Sequence, residues 1–578
     1  MGMARMAIEV DAKAALAAIG WFLRGKRVRG WTMLCALAEH HRDCYQGWII
    51  NTEPGRIADF VNRHAGTAAK PSIATLIFAH PDRGASDAVR TVASLRAALG
   101  ADAVIWSLAK GAAGAIELDI AKPATIQRVL GDLMLQSGAE WLLPILSGDL
   151  VSPALGPVVA SAVGDYAECA LVYWDEDQRA LGRRTSPWLK PDWDQRLFLA
   201  CDGISGAGML SRAAIKGALS AMPDMAAAAD AMACAVLHAA EAATPGSIRH
   251  MPLVLTHRKS TEGFVPALRR MELANTHSRE GWSAAPHGGS DTCLCVRPPD
   301  PLSWPSVSIL IPTRDQLELL RNCLDGLGKL NYAGEVEIVV MDNDSADIEA
   351  LRFLDALDRD LVARVLRCPG PFNFSAINNL AVRSAKGEFV CLLNNDIEAI
   401  DGDWLSEMIR HALCSGIGAV GARLLYPDGS IQHAGVAIGL GNAAGHVQKG
   451  VTPNDHCHFR LHGVTRRVLA VTGACLVVSR ANYHAVGGLD AETFAVAFND
   501  VDFCMKLGKA GLHNVYVAEA CLLHHESKSR GSDFAAPNIA RFQRELTSLQ
   551  QRWHTQGFDD PCLNPNFSRA SERCVLSF

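Results

Sequence analysis

Short apolar runs that stop abruptly at polar residues punctuate the second half of this chain. VSILIPT (307–313), EVEIVVMDN (335–343), ARVLRCP and EFVCLLNND (388–396) are separated by segments with helical spacing, QLELLRNCLDGLGKL, ADIEALRFLDAL and residues 376–384. Uninterrupted apolar runs bounded by turn residues read as strands buried on both faces of a parallel sheet. Their alternation with helices predicts a Rossmann-like α/β half-sheet, which keeps its ligands at the carboxyl ends of the strands.

The same alternation occurs earlier, from Ser72 to about Leu255, through IATLIFAH, SDAVRTVASLRAALG, ADAVIWSLA, EWLLPILSGD and ALVYWDED. The predicted organisation is a helical extension (1–68), a first α/β domain (69–255), a linker rich in Gly, Ser, Pro and charge (256–304), a second α/β domain (305–535) and a helical tail (536–578). ILSGDLVSPALGPVVASAV (145–163) echoes LLNNDIEAIDGDWLSEMIRHAL (392–413), each a strand, an acidic stop and a helix. That echo predicts an internal duplication.

Composition narrows the partners. At 578 residues the chain exceeds one ordinary core, and 49% hydrophobic with 20% charged residues is globular. A net charge of −6 argues against a nucleic-acid binder. The 17 cysteines are scattered through predicted strands and helices, as expected in a reducing cytosol. The longest candidate span, Met225 to Ala243, is interrupted by Asp230, His238 and Glu241, so no spanning helix is expected, and no secretory leader is recognised. Trp21, Phe22, Arg24, Lys26, Arg27, Arg29 and Trp31 form a basic, aromatic cluster that suits either peripheral contact with an anionic membrane or packing on the protein itself. Oligomeric state is not legible.

The strand ends supply the candidate chemistry. Thr313, Arg314 and Asp315 follow the first strand of the second domain, Asp342 and Asn343 the second, and Asn394, Asn395 and Asp396 the fourth. A nucleotide fits such a crevice, with Asp342 accepting hydrogen bonds from base or ribose, Arg314 facing phosphates, and Asp396 holding a divalent metal, Mg or Mn. Each residue taken alone also reads as a polar terminus or cap.

Downstream, FAVAFNDVDFCMKLGKAGLH (494–513) sets Asp500 and Asp502 at a helix start, where Asn499 suits a cap and Asp500 a general base. VYVAEACLLHHES (515–527) ends in His524 and His525, one of which can complete a metal site or serve structure. HCHFRLH (456–462) lacks zinc-site spacing and reads as a polar loop over the site; Gly439, Gly441 and Gly445 miss the GxGxxG spacing.

Taken in order, VSILIPTRDQ, VEIVVMDNDS, FNFSAINNLAVRSAKGEFVCLLNNDIE, GAVGARLLYPDGSIQHAGV, VTGACLVVSR, VGGLDAETFAVAFNDVDFC and LLHHESKSRG make the second domain resemble the family 2 glycosyltransferases of the GT-A fold. The resemblance implies two tandem GT-A (Rossmann-like, mostly parallel sheet) domains, the first degenerate. It also implies an inverting hexosyl transfer from a nucleotide-sugar donor to a glycan or lipid-linked acceptor in bacterial surface-polysaccharide synthesis, on the cytoplasmic face.

By the same likeness Asp342 is expected to bind the nucleotide base and Asn394 and Asn395 to meet the diphosphate; Thr313, Arg314, Asn343 and Asn379 complete the residues expected to bind the nucleotide sugar. Asp396 and His524 bind the metal, Asp500 is the catalytic base, and Gly473, Ala474, Cys475, Asn499 and Asp502 lie on the acceptor side. Asn394 stands for the first Asp of the DxD motif and Asn499 for the Glu before the base. Leu549 replaces the Gln of the processive QxxRW signature ahead of Arg552 and Trp553, which favours addition of one or a few sugars. In the first domain, VYWDEDQRALGRRTSPWLKPDWDQ carries the likeness, its metal-site stop is Ser147, Gly148, Asp149, and HPDRGA replaces the usual polar turn. The competing readings are an inactive GT-A scaffold or glycan-binding subunit, which the two Asn substitutions favour, and a nucleotidyltransferase, which shares the crevice but calls for more basic residues than Arg314.

Overall fold

The computed structural model describes residues 3–578 apart from 25–26, 40, 42, 65–70, 119–130, 132–133, 136, 163–164, 167, 222–227, 242–245, 261–266, 278–280, 288–289, 454–460 and 526–537. Lys26 and most of the HCHFRLH segment lie outside the described residues, as do the side chains of Arg27 and Arg29. Two sheets dominate. The second runs Arg364–Arg367, Val336–Asp342, Val307–Thr313, Phe389–Leu393, Cys475–Ser479, Ile417–Leu425, His513–His524, Ile397–Ala399. The first runs Ile116–Glu117, Val104–Ser107, Ile73–Phe78, Trp141–Leu146, Gly208–Ser211, Leu171–Ala180, Ile248–Arg258, Leu150–Val151.

The two orders match strand for strand, including the antiparallel insertion of the fifth strand and the short antiparallel strand at the far edge. The expected duplication is thus present in the architecture. Core strands Val307–Thr313 and Phe389–Leu393 are buried along their whole length, which is why they read as continuous apolar runs. Helices start where short polar side chains satisfy orphan backbone N–H groups: Asp347 before Ile348–Arg359 and Asn373 before Phe374–Ser384.

Residues 3–63 hold the expected helices, Met3–Val10, Ala12–Leu23, Arg27–Glu39, Cys44–Asn51 and Glu53–Arg63. The stretch expected to be a linker differs. It contains the helix Ala267–His277 and the hairpin Ser283–His287 with Ser290–Arg297, and Met271, Leu273, Ala274, Trp282 and Leu294 join the first sheet's core. Its apolar residues are spaced among turn-forming ones, so the composition signal outweighed a weaker periodicity. The tail is helical only over Ile539–Trp553; residues 554–578 cross back to the first sheet, where Asn564 Nδ2 donates to Asp175 (2.9 Å to Oδ2) and Asn566 Nδ2 to the Pro252 carbonyl (2.8 Å). Among the described residues no helix is long and apolar enough to cross a membrane.

Candidate active site

Register alone brings the first two strand ends together, because Thr313 pairs with Asp342 across the parallel ladder. Asn395 Nδ2 then donates to Thr313 Oγ1 (3.0 Å), tying in the third strand end. Asp342 is buried and accepts from Arg367 Nη1 (2.6 Å) and Ser345 N (3.1 Å), which leaves half of its roughly four acceptor positions for a ligand. Arg367, an outward position of ARVLRCP that carried no role in the sequence reading, therefore joins the candidate site through Asp342. Asn343 spends its amide N–H groups on the carbonyls of Cys368 (2.8 Å) and Gly370 (3.0 Å), so only its buried Oδ1, without a hydrogen-bond partner among the described residues, remains to offer. Arg314 is exposed at the crevice rim. Next to it Asp315 takes a left-handed φ of 54° and accepts from the N–H groups of Ala346 (2.7 Å) and Asp347 (2.8 Å), bracing the two loops against each other.

The candidate base is joined to this crevice through one turn. Asp500 is half-buried; its Oδ2 accepts from Gly473 N and its Oδ1 from Val501 N, both at 2.8 Å. One residue on, the Ala474 carbonyl accepts from Asn394 N (2.9 Å). Gly473 and Ala474 thus fix Asp500 against the acidic stop through backbone groups. A Cβ on Gly473 would sit 3.5 Å from Asp500 Cβ, ordinary contact, so the fold itself does not require glycine there. Asn499 is not the helix cap: its Nδ2 donates to the Val496 carbonyl (2.7 Å), holding the turn in which Phe498 takes φ 59°.

Pairing of Ile397 with His524 places the imidazole beside Asp396, with Nε2 3.2 Å from Oδ1. The contact lacks hydrogen-bond alignment, and Asp396 Oδ1 and His524 Nδ1 are both buried without a hydrogen-bond partner among the described residues. Such orphaned polar atoms are costly unless a ligand satisfies them. His525 instead meets Glu398 Oε2 (3.0 Å). Among the described residues no group of three or more His, Cys, Asp and Glu converges, so a cation here would draw its remaining ligands from substrate and water, as magnesium-type sites do.

His433, from the IQHAGV segment, is a further residue that the sequence reading left without a role. It is fully buried, its Nδ1 lies 2.9 Å from His446 Nδ1, and its Nε2 faces the N–H of Thr472 at 3.4 Å, directly before Gly473. Burial first, then the charges of His446, Arg466 and His524, hold its pKa well below the usual imidazole value, so it is neutral.

Two expected residues are not in the crevice. Asn379 ties its helix to the next loop, donating to the Leu489 carbonyl (2.7 Å) and accepting from Tyr483 Oη (2.7 Å) and Leu489 N (3.0 Å). Asp502 is fully buried and anchors the C-terminal helix, accepting from Arg552 Nη1 (2.9 Å) and Trp553 Nε1 (3.0 Å). An acidic residue at a helix start carries no mark of which way it points, and the partners lie fifty residues downstream.

The equivalent crevice of the first sheet is closed from within. Asp149, fully buried, accepts from Arg83 Nη1 (2.8 Å), and its Oδ2 lies 2.7 Å from Arg258 Nε. Arg83 belongs to HPDRGA, so the departure seen in the sequence is the residue that fills the crevice. Beside it Glu176 pairs with Lys190 (3.2 Å) and Arg258 (3.2 Å), and Asp177 with Arg184 (2.5 Å) and Tyr45 Oη (2.6 Å).

The site is thus a mixed α/β sheet with three acidic or amide strand ends and a carboxylate held across the same turn. Residues 308–462 match the model of the family described as Glycosyl transferase family 2. Over 449 residues the chain is 38% identical to the uncharacterized protein y4gI of Sinorhizobium fredii, covering 74% of this chain and 48% of that protein. It is 33% identical over 452 residues to the O-antigen biosynthesis protein RfbC of Myxococcus xanthus (74% and 34%). It is 43% identical over 93 residues to an N-acetylglucosaminyl-diphospho-decaprenol L-rhamnosyltransferase of Mycobacterium tuberculosis (16% and 30%). The chain thus spans half or less of the curated relatives it matches.

Proposed function

We propose that the second sheet catalyses inverting transfer of a sugar from a nucleotide-sugar donor to a hydroxyl of a glycan or lipid-linked acceptor, met at the inner membrane face during surface-polysaccharide synthesis. The observation that carries this reading is the backbone relay from Asp500 through Gly473 and Ala474 to Asn394, which holds a carboxylate and the acidic stop Asp396 in one crevice with Asp342. The relatives named for O-antigen synthesis and rhamnosyl transfer support the substrate class.

In this mechanism Asp342, Asn343 Oδ1, Thr313 and Asn395 shape the nucleotide end, and Arg314 and Asn394 face the diphosphate. The Asp500 carboxylate takes the proton of the acceptor hydroxyl as that oxygen forms a bond to the anomeric carbon. The bond from that carbon to the diphosphate oxygen breaks, and its electron pair leaves with the nucleoside diphosphate. Asp396 and His524 are the residues that would hold a Mg or Mn ion, which when bound supplies Lewis-acid stabilisation of the leaving diphosphate. The first sheet, with its crevice filled by Arg83, serves as a scaffold.

The test is release of nucleoside diphosphate by the purified chain across a donor panel with Mn. Asp500→Asn should lower kcat by about 10²–10⁴ fold, the usual contribution of general-base catalysis, with donor affinity unchanged. Turnover within threefold of the parent removes Asp500 from that role, and glycan binding without turnover on any donor turns the reading to the inactive scaffold.

A further inference from the structure

Where the helix Glu53–Arg63, the first sheet and the C-terminal segment meet, the fold forms a solvent-open cavity of about 360 Å3 that shares no residue with the crevice described above. Small-molecule sites commonly fall between about 300 and 1,000 Å3. Phe60, Tyr166 and Phe567 give it aromatic walls. Arg56 and Arg63, two turns apart on one helix face, both line it.

Three arginines and three aspartates line the cavity, but the aspartates are committed to other partners. Arg569 is paired with Asp559, Asp192 lies 3.5 Å from His250 Nδ1, and Asp560 accepts from the N–H groups of Ile438 (2.8 Å) and Cys562 (2.7 Å). Arg56 reaches only the Ser577 hydroxyl (3.3 Å) and Arg63 only the Asp59 carbonyl of its own helix (3.3 Å). Neither has an acidic partner among the described residues. Two guanidinium groups with most of their donors unspent, over aromatic faces, suit a ring compound bearing a carboxylate or phosphate.

We propose that this cavity binds an anionic saccharide, a sugar carrying a phosphate or a carboxylate. The choice of a saccharide rests on the transfer reading above; the anion preference rests on the two arginines alone. Isothermal titration of the full chain with glucose 1-phosphate, glucuronate, glucose and UMP tests it. One of the two charged sugars should bind, which names the source of the charge, and glucose should not. Affinity should fall at least tenfold in Arg56→Gln/Arg63→Gln and severalfold in Arg63→Gln alone, whose exposed side chain leaves folding intact, while Asp342→Ala and Asp500→Asn leave it unchanged. Equal binding of glucose, an affinity insensitive to the arginine substitutions, no binding of either charged sugar, or UMP as the tighter arginine-dependent ligand would each overturn the proposal. Because the readout is binding, loss of the transfer reading through absent turnover registers separately.

Discussion

Replacing Asp502 separates an anchoring role from an acceptor-binding one. Its carboxylate is fully buried and is shared by Arg552 Nη1 (2.9 Å), Trp553 Nε1 (3.0 Å) and Lys506 Nζ (3.2 Å). Removing one partner of a fully buried ion pair costs about 3–5 kcal/mol. Here the side chains of Arg552 and Lys506 are 37% and 23% exposed and can turn toward water, so the penalty is smaller. Two lost hydrogen bonds to the carboxylate at roughly 1.5–3 kcal/mol each, partly offset by rehydration of the freed donors, give about 3 kcal/mol for Asp502→Ala. At about 2–4 °C per kcal/mol for a domain of this size, the unfolding midpoint should fall by roughly 6–12 °C. Asp502→Asn keeps one acceptor and should lose about half as much. Hydrogen exchange should quicken over Ile539–Trp553, the helix that Asp502 holds. The assay is thermal unfolding beside acceptor kinetics. A variant that unfolds within about 1–2 °C of the parent while its acceptor KM rises tenfold would refute the anchoring role and return Asp502 to the acceptor side.

Asp396→Asn should weaken Mn binding to the donor-loaded protein by tenfold or more, measured by titration, with the fold retained because the amide is nearly isosteric; metal affinity equal to the parent's would move the cation elsewhere. Asp560 gives a pH signature. Burial, opposed by the Ile438 and Cys562 N–H groups, raises its pKa from 3.8 to about 6. The folded state therefore favours the protonated acid, so this stabilisation is full below pH about 4 and is lost as pH rises through about 6, on the order of 2–3 kcal/mol. Asp560→Asn should flatten the fall of the unfolding midpoint between pH 4 and 7, and an unchanged slope would show that other groups produce it.

Much of the crevice was legible because its residues sit where a periodic signal ends. Thr313, Asp342 and Asn394 to Asp396 each follow a run of buried positions, and in-register parallel pairing turns such sequence stops into spatial neighbours. Asn379 and Asp502 fall outside the crevice for the converse reason: each sits in a motif beside residues at the strand ends, yet its side chain is consumed by Leu489 and Tyr483 or by Arg552 and Trp553. Arg367 and His433 were passed over because an Arg on an edge strand and a lone His on a short one look like any surface or core residue. The linker was misread because sparse apolar positions such as Met271 and Leu294 declare themselves only when a sheet face is there to receive them.

By itself the sequence determined two rounds of α/β alternation, the strand ends with their acidic and amide stops, and the likeness to a glycosyltransferase family, since local periodicity and turn chemistry are written residue by residue. Only the tertiary structure decided which acids are spent and which are open. Asp149 and Asp396 end equivalent strands, yet two guanidinium groups, Arg83 and Arg258, close on the first while the imidazole of His524 lies beside the second. The difference is made by side chains far away in sequence, and a carboxylate's chemistry follows from the charge that reaches it through space.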